Sequence, residues 1–448
     1  MTRRAAVGGL VSLVALPAFA QGSPGAGTAL LNARLFTGSA MSAPSSLLIK
    51  DGRISAISAG AGPADLPQGV RRVDMAGRFL VPGLNSAHVH VGHVVGIESG
   101  IRFYTRDRVE EQLALYAAFG VTQVSALGMS PPLFHEIRRE SQAGRLKGAT
   151  LYGAGPGVGV TDGAPPAKVM NLSDEQVARP RTAAEASDVV DQLAEAGVDQ
   201  IKLWIEDMNG QLPVMSPEIA KATADAAHRR NLPAVAHVHD VSHARLAINS
   251  GVDVLGHGVR DEEIDDAMLA AMKQGGVRYI PTIQIDEAEY IYVDRPELAD
   301  DPFFKAAAPE AFRKRMADAA WRETQAKKGE KNRPSVEMNK RNLAKLHAAG
   351  ITIGMGTDSG ATPMRIPGFA EHRELALMVE AGLTPADALR IASEGSAAVY
   401  GQKDRGVLKV DAAADLVALD ADPVADIANM RRIVSVWRAG EQIAGAPA

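Results

Sequence analysis

Five times in the middle of the chain a helix-like stretch ends in a small residue plus glycine, and a β-branched run follows at once. The stretches are Phe119-Gly120-Val121-Thr122-Gln123-Val124, Ala196-Gly197-Val198-Asp199-Gln200-Ile201, Ser250-Gly251-Val252-Asp253-Val254-Leu255, Gly275-Gly276-Val277-Arg278-Tyr279-Ile280 and Ala349-Gly350-Ile351-Thr352-Ile353. Glycine closes a helix without a Cβ penalty, and the residues after it favour a strand. Further runs near Leu80, Ala149 and Leu232 bring the candidate strands to eight, each followed by helical sequence. Eight alternating units predict an α/β fold built on a closed (β/α)8 barrel of the TIM type. An open doubly wound sheet fits less well, because no glycine-rich phosphate loop opens the first helix.

Both ends of the chain have a different texture. Leu47-Leu48-Ile49-Lys50-Asp51-Gly52-Arg53-Ile54 places an Asp-Gly turn between apolar runs, a hairpin signal. Near the other end, Asp415-Leu416-Val417-Ala418-Leu419-Asp420 and Ile433-Val434-Ser435-Val436-Trp437-Arg438 read as short strands. The expected organisation is a small composite β-sandwich from residues 24–84 and 400–448, flanking a barrel over 85–399. One unit of the barrel is long. About 65 charge-rich residues separate the seventh strand from the eighth, with an insertion expected over 284–334. On the catalytic side of a barrel it would serve as a lid, an oligomer contact or a solvated helical pair.

The first twenty residues read as a leader to be removed. Thr2-Arg3-Arg4 is a positive n-region, Ala5 to Leu16 an apolar core, and Ala18-Phe19-Ala20 a small-x-small cleavage signal. Cleavage after Ala20 and a periplasmic or secreted location are therefore expected, with the arginine pair compatible with a twin-arginine route. A net charge of −5 without a basic patch argues against nucleic acid or an anionic membrane as partner. The chain has no cysteine, so a metal would need histidine, carboxylate or an unusual lysine.

Ligand-type residues stand in order at the strand ends, where barrel function gathers. His88 and His90 follow Leu80-Val81-Pro82-Gly83-Leu84. At i and i+2 on a strand they face one way and suit a divalent cation. Lys202 interrupts the apolar run Ile201-Lys202-Leu203-Trp204-Ile205, where an ammonium is costly to bury. An ion pair with Glu206 or Asp207 would account for it. A neutral lysine that takes up carbon dioxide would become an anionic oxygen ligand instead. His237 and His239 close the fifth strand, one as ligand and the other one layer higher toward substrate. His257 sits between Gly256 and Gly258, which let the backbone approach closely, and Asp358 ends the eighth strand. Six such residues at successive strand ends point to one site.

These residues carry a resemblance. Val81-Pro82-Gly83-Leu84 leading to His88-x-His90, the strand lysine, His237, His257, Thr357-Asp358 and the ending Gly406-Val407-Leu408 with Ala414-Asp415-Leu416-Val417 resemble the metal-dependent amidohydrolases, in particular the prolidase-like and ochratoxinase-like branch. The resemblance spans nearly everything after the leader. It implies a barrel plus β-sandwich and two divalent metals, commonly zinc. His88, His90 and Asp358 would hold one metal and His237 and His257 the other. N6-carboxylated Lys202 and a hydroxide would bridge them. The lysine is followed by Leu203-Trp204-Ile205-Glu206-Asp207 rather than the glycine-rich turn frequent in dipeptidase-like members, which weakens a Xaa-Pro reading.

The expected activity is hydrolysis of a small-molecule amide, of N-acyl amino acid or dipeptide type. Asp358 would be the general acid–base and His239 a donor to the developing oxyanion. His93, Arg102, Tyr104 and Arg260 are candidate substrate contacts, the last three for a carboxylate. Two rivals share the sequence features. One is hydrolysis of another bond at the same site, such as a lactone, phosphotriester or cyclic amide. The other is a periplasmic metal- or solute-binding protein without turnover, which would have no need of Asp358 as a base.

Overall fold

The computed structural model describes residues 27–60 and 66–447. The leader segment lies outside the described residues. Strands from both ends of the chain form one eight-stranded sheet. Its order runs Glu441–Gly445, Ile433–Arg438, Leu416–Leu419, Phe79–Pro82, Thr28–Phe36, Met41–Lys50 and Arg53–Ala59, with Arg71–Asp74 also paired to Thr28–Phe36. The seam between the two ends is antiparallel, with Leu80 opposite Ala418 and Pro82 opposite Leu416. Leu30, Leu47, Ile54, Leu80, Leu416 and Trp437 share one core beneath this sheet.

The barrel follows directly. Parallel strands Leu84–Val89, Val121–Ala126 and Thr150–Gly153 make one arc, and Ile201–Trp204, Ala234–His237, Val254–Leu255 and Arg278–Tyr279 make another. Two links join the arcs. Val158 pairs with Leu203, its amide donating to the Lys202 carbonyl at 2.7 Å. The segment 351–359 pairs with Tyr279 on one side and Val89 on the other. Here the Ala87 amide donates to the Met355 carbonyl and the His90 amide to the Ser359 carbonyl, both at 2.7 Å. The ring is thereby closed. Its strands are buried on both faces, which is why they read as apolar runs without alternation.

The long unit after Arg278–Tyr279 contains the short helices Gln284–Glu287, Ile291–Asp294, Pro302–Ala307 and Glu310–Arg315. Its last helix, Ala319–Ala348, runs for 30 residues and passes straight through Pro334, so no boundary falls near residue 334. The short helices have a core of their own, where Tyr292, Phe304 and Phe312 pack on Phe119 and Phe369 of the barrel layer. Among the described residues no helix is long and apolar enough to cross a membrane.

Candidate active site

His88 is 1% exposed on the first barrel strand, and His90 is 3% exposed just beyond its end. Nδ1 of His88 lies 2.7 Å from the carbonyl oxygen of Gly256. A carbonyl only accepts, so Nδ1 carries the proton and the Nε2 lone pair faces the barrel axis. That Nε2 lies 3.2 Å from Asp358 Oδ1, and Nε2 of His90 lies 2.9 Å from the same oxygen. Gly356 makes this packing possible, because a Cβ there would stand 2.7 Å from the Cβ of His88.

Asp358 has a left-handed backbone (φ 56°), a conformation that costs free energy and persists only where surroundings enforce it. The enforcing group is Glu371. One of its carboxylate oxygens accepts from the hydroxyls of Thr357 at 2.6 Å, Ser359 at 2.7 Å and Ser86 at 3.1 Å. The other accepts from the Gly368 amide at 2.8 Å. Both chain neighbours of Asp358 are thus tied to one buried acid. Burial pushes the Asp358 carboxyl up, but the charges of Arg365 and His90 overcome it and hold the group well below the usual carboxylate range.

Lys202 lies on the strand Ile201–Trp204, 1% exposed, and its Nζ has no hydrogen-bond partner. Burial lowers its pKa to about 7, against smaller opposing effects of Asp358 and Glu206. The ion pair weighed for it goes elsewhere, since the Glu206 carboxylate binds Nε2 of His237. His257 places Nδ1 3.0 Å from the Thr282 hydroxyl. Its ring centroid is 4.4 Å from that of His88 and 4.3 Å from that of His237. Burial lowers the pKa of His88 to about 3, that of His237 below the ordinary value and that of His257 well below it, which favours neutral rings able to ligate.

His88, His90, Lys202, His237, His257 and Asp358 all line one cavity of about 260 Å³. The donor set fits a divalent cation. Ligand atoms of His88, His90 and Asp358 lie within 4.8 Å of one another, and buried His88 Nε2, His90 Nδ1 and Lys202 Nζ lack hydrogen-bond partners. Buried polar atoms left in that state call for a ligand.

The proposed substrate contacts divide. Arg260 lines the cavity, its Nε 3.0 Å from Asp286 Oδ2. The other three are not among the cavity-lining residues. Arg102 is exposed and reaches back to Glu98, with its guanidinium over the Phe103 ring. Tyr104 is buried against the ring of His93, and His93 stands behind His90 with centroids 6.1 Å apart. His239 is half-buried beside Arg260 and also stands outside the lining; burial and the Arg260 charge lower its pKa to about 4. The lining also includes residues that the sequence does not single out as site members, among them Glu206, Arg365 and Trp204. Arg365, whose guanidinium binds Asp358 Oδ2, follows the eighth strand by seven residues, so its position after a catalytic strand was the available signal.

Known proteins share this architecture. A family model described as "Amidohydrolase family" matches residues 79–443. Ochratoxinase from Aspergillus niger is 26% identical over 246 residues, covering 53% of this chain and 44% of that protein, so the match spans less than half of the relative's length. Two crystal structures are similar in fold. A Xaa-Pro dipeptidase with bound methionine in the active site has a TM-score of 0.74 at 22% identity, over 93% of this chain and 99% of that one. A. niger ochratoxinase has a TM-score of 0.71 at 22% identity, over 93% and 96%. With the barrel closed, the histidines converging at its mouth and the model matching from the last strand before the barrel into the final strand, the chain belongs to the amidohydrolase family.

Proposed function

We propose that the chain is an exported hydrolase that uses two divalent metal ions to cleave an amide of N-acyl amino acid or dipeptide type. The observation that carries this reading is Lys202, a lysine whose Nζ has no hydrogen-bond partner and is buried in the same cavity as four imidazoles and the Asp358 carboxylate. His88, His90 and Asp358 would hold one ion and His237 and His257 the other, with N6-carboxylated Lys202 shared between them. The ions, zinc in this reading, would polarise the scissile carbonyl and lower the pKa of water.

The chain's own residues supply the rest. Asp358 takes a proton from the attacking water and passes it to the leaving nitrogen, which departs as an amine. The charge of Arg365 on its second oxygen keeps it ionised for that role. Glu206 orients the ring of His237 through Nε2, and the Gly256 carbonyl orients that of His88. Trp204, Met129 and Met170 give the cavity an apolar wall that excludes water around an acyl group. His239, beside Arg260, is the proposed donor to the oxyanion. Export rests on the leader-like residues 2–20, and a mature N-terminus at Gln21 would establish it.

The test is a substrate panel on zinc-loaded protein, with N-acyl amino acids, dipeptides, lactones and phosphotriesters. Amide hydrolysis that is lost to a chelator and restored by zinc with bicarbonate is expected. Turnover confined to lactones or phosphotriesters would overturn the amide assignment, and metal uptake without turnover would make the chain a binding protein.

A further inference from the structure

A second cavity of about 140 Å³ lies beside the first, and Thr362 and Arg365 stand in the wall of both. It is enclosed from three directions. The hairpin of Val94–Val95 and Glu98–Ser99 forms one side, Leu115 of the helix Arg106–Ala118 a second, and Ala307 of the long unit after the seventh strand a third. Its lining is mostly apolar. Three charged residues stand in its walls: Arg108 and Glu111, which form an ion pair at 2.9 Å, and Arg365, which binds Asp358. A cavity near 150 Å³ with apolar walls admits a group the size of benzene.

The partition between the cavities holds two buried polar atoms without hydrogen-bond partners, Arg365 Nε and Thr362 Oγ1. The loop that carries them is braced internally. The Gly360 amide donates to the Arg365 carbonyl at 2.8 Å and the Arg365 amide to the Thr362 carbonyl at 3.2 Å. A guanidinium edge and a hydroxyl, both unsatisfied and both in the wall shared by the two cavities, suit a carboxylate.

We propose that this partition and the cavity behind it form the subsite for the leaving amino acid, which gives the enzyme a preference for apolar side chains. The inference rests on the amide-hydrolase reading above. Hydrolysis adds water across the C–N bond, with oxygen going to the acyl carbon and a proton, through Asp358, to the nitrogen. That nitrogen must therefore lie within hydrogen-bond reach of Asp358. In an α-amino acid the carboxylate is two bonds from the nitrogen. Arg365, already touching Asp358, is placed to receive it together with Thr362. The side chain, on the same α-carbon, then points past Arg365 into the second cavity. Glycine would leave that cavity empty, and a charged side chain would lose hydration among its mostly apolar walls.

The test compares kcat/KM for N-acetyl-L-phenylalanine, its C-terminal amide and N-acetylglycine, on zinc-loaded wild type and three variants. Ala307→Trp and Val95→Trp fill the cavity from opposite walls, so one misfolded variant does not end the experiment. Thr362→Val removes the hydroxyl. Each filling variant is expected to lower the phenylalanine-to-glycine ratio about tenfold or more, the scale of specificity that apolar pockets supply. Thr362→Val is expected to narrow the preference for the free acid over the amide. Binding of free L-phenylalanine, followed by calorimetry, should weaken in parallel. Ratios unchanged in both filling variants, with phenylalanine still binding, would overturn the proposal. If wild type cleaves no amide yet binds phenylalanine and Ala307→Trp does not, the amide reading fails and the subsite stands.

Discussion

The imidazole of His88, on the first barrel strand, is oriented by the carbonyl of Gly256, the residue before His257 on the far side of the ring. Two metal-ligand candidates from the first and sixth barrel strands are therefore fixed against each other through one 2.7 Å hydrogen bond. The ligand geometry is a property of the closed ring, not of either strand.

Replacing a ligand should show first in metal content. His88→Ala and His90→Ala are each expected to lose about one equivalent of metal per chain and essentially all turnover. Elemental analysis of the purified variants beside a kinetic assay checks this. Full metal content in both would remove them from the centre.

Asp358→Asn keeps the shape of the side chain and removes its basicity. Turnover is expected to fall about 10²–10⁴-fold, the usual contribution of a positioned acid–base group. Metal should be quantified in the same sample, and near-wild-type turnover with metal present would refute the role.

Lys202 makes a pH prediction for metal-free protein. Its pKa is 10.5 in an open chain and about 7 in the fold. Between those values the unfolded chain holds a proton that the folded one has released, so stability rises with pH across the window and is lost as pH falls toward 7. Lys202→Met should flatten that slope and stabilise the chelated protein near pH 7 by roughly 1–4 kcal/mol, while abolishing bicarbonate-dependent activation. Denaturant midpoints measured across the window decide it.

Glu371 should matter for stability out of proportion to its distance from substrate. Glu371→Ala leaves three hydroxyls and an amide without their acceptor and is expected to cost about 2–4 kcal/mol. Glu371→Gln keeps one acceptor oxygen and should cost less. An equal, negligible loss in both, measured by chemical unfolding, would show that Asp358 holds its left-handed backbone unaided.

Much of this was legible in the residues, for a physical reason. Parallel barrel strands are buried on both faces, so a polar residue at the end of an apolar run is conspicuous, and His88, Lys202, His257 and Asp358 all stood out that way. The loops were less readable. Arg102 and Tyr104 carry suitable chemistry, but nothing local says that one turns back to Glu98 and the other packs behind His93. Arg365 becomes a site residue only because its braced loop folds over Asp358. The expected end of the insertion at residue 334 falls instead inside a helix, at Pro334. The proline forfeits one intrahelical bond, yet the helix continues because Val336, Asn339, Leu343 and Leu346 beyond it are anchored in the interior.

The sheet shared by the two termini has a consequence for how the molecule is made. Phe79–Pro82 cannot pair with Leu416–Leu419 until the intervening barrel has brought residues more than three hundred positions apart into register. During synthesis the first five strands must wait with an open hydrogen-bonding edge, a template for pairing with the wrong chain. The last strands act as a latch that only a completed barrel can close. A truncation before Leu416 would leave that edge bare and yield a product that self-associates rather than one that is merely inactive.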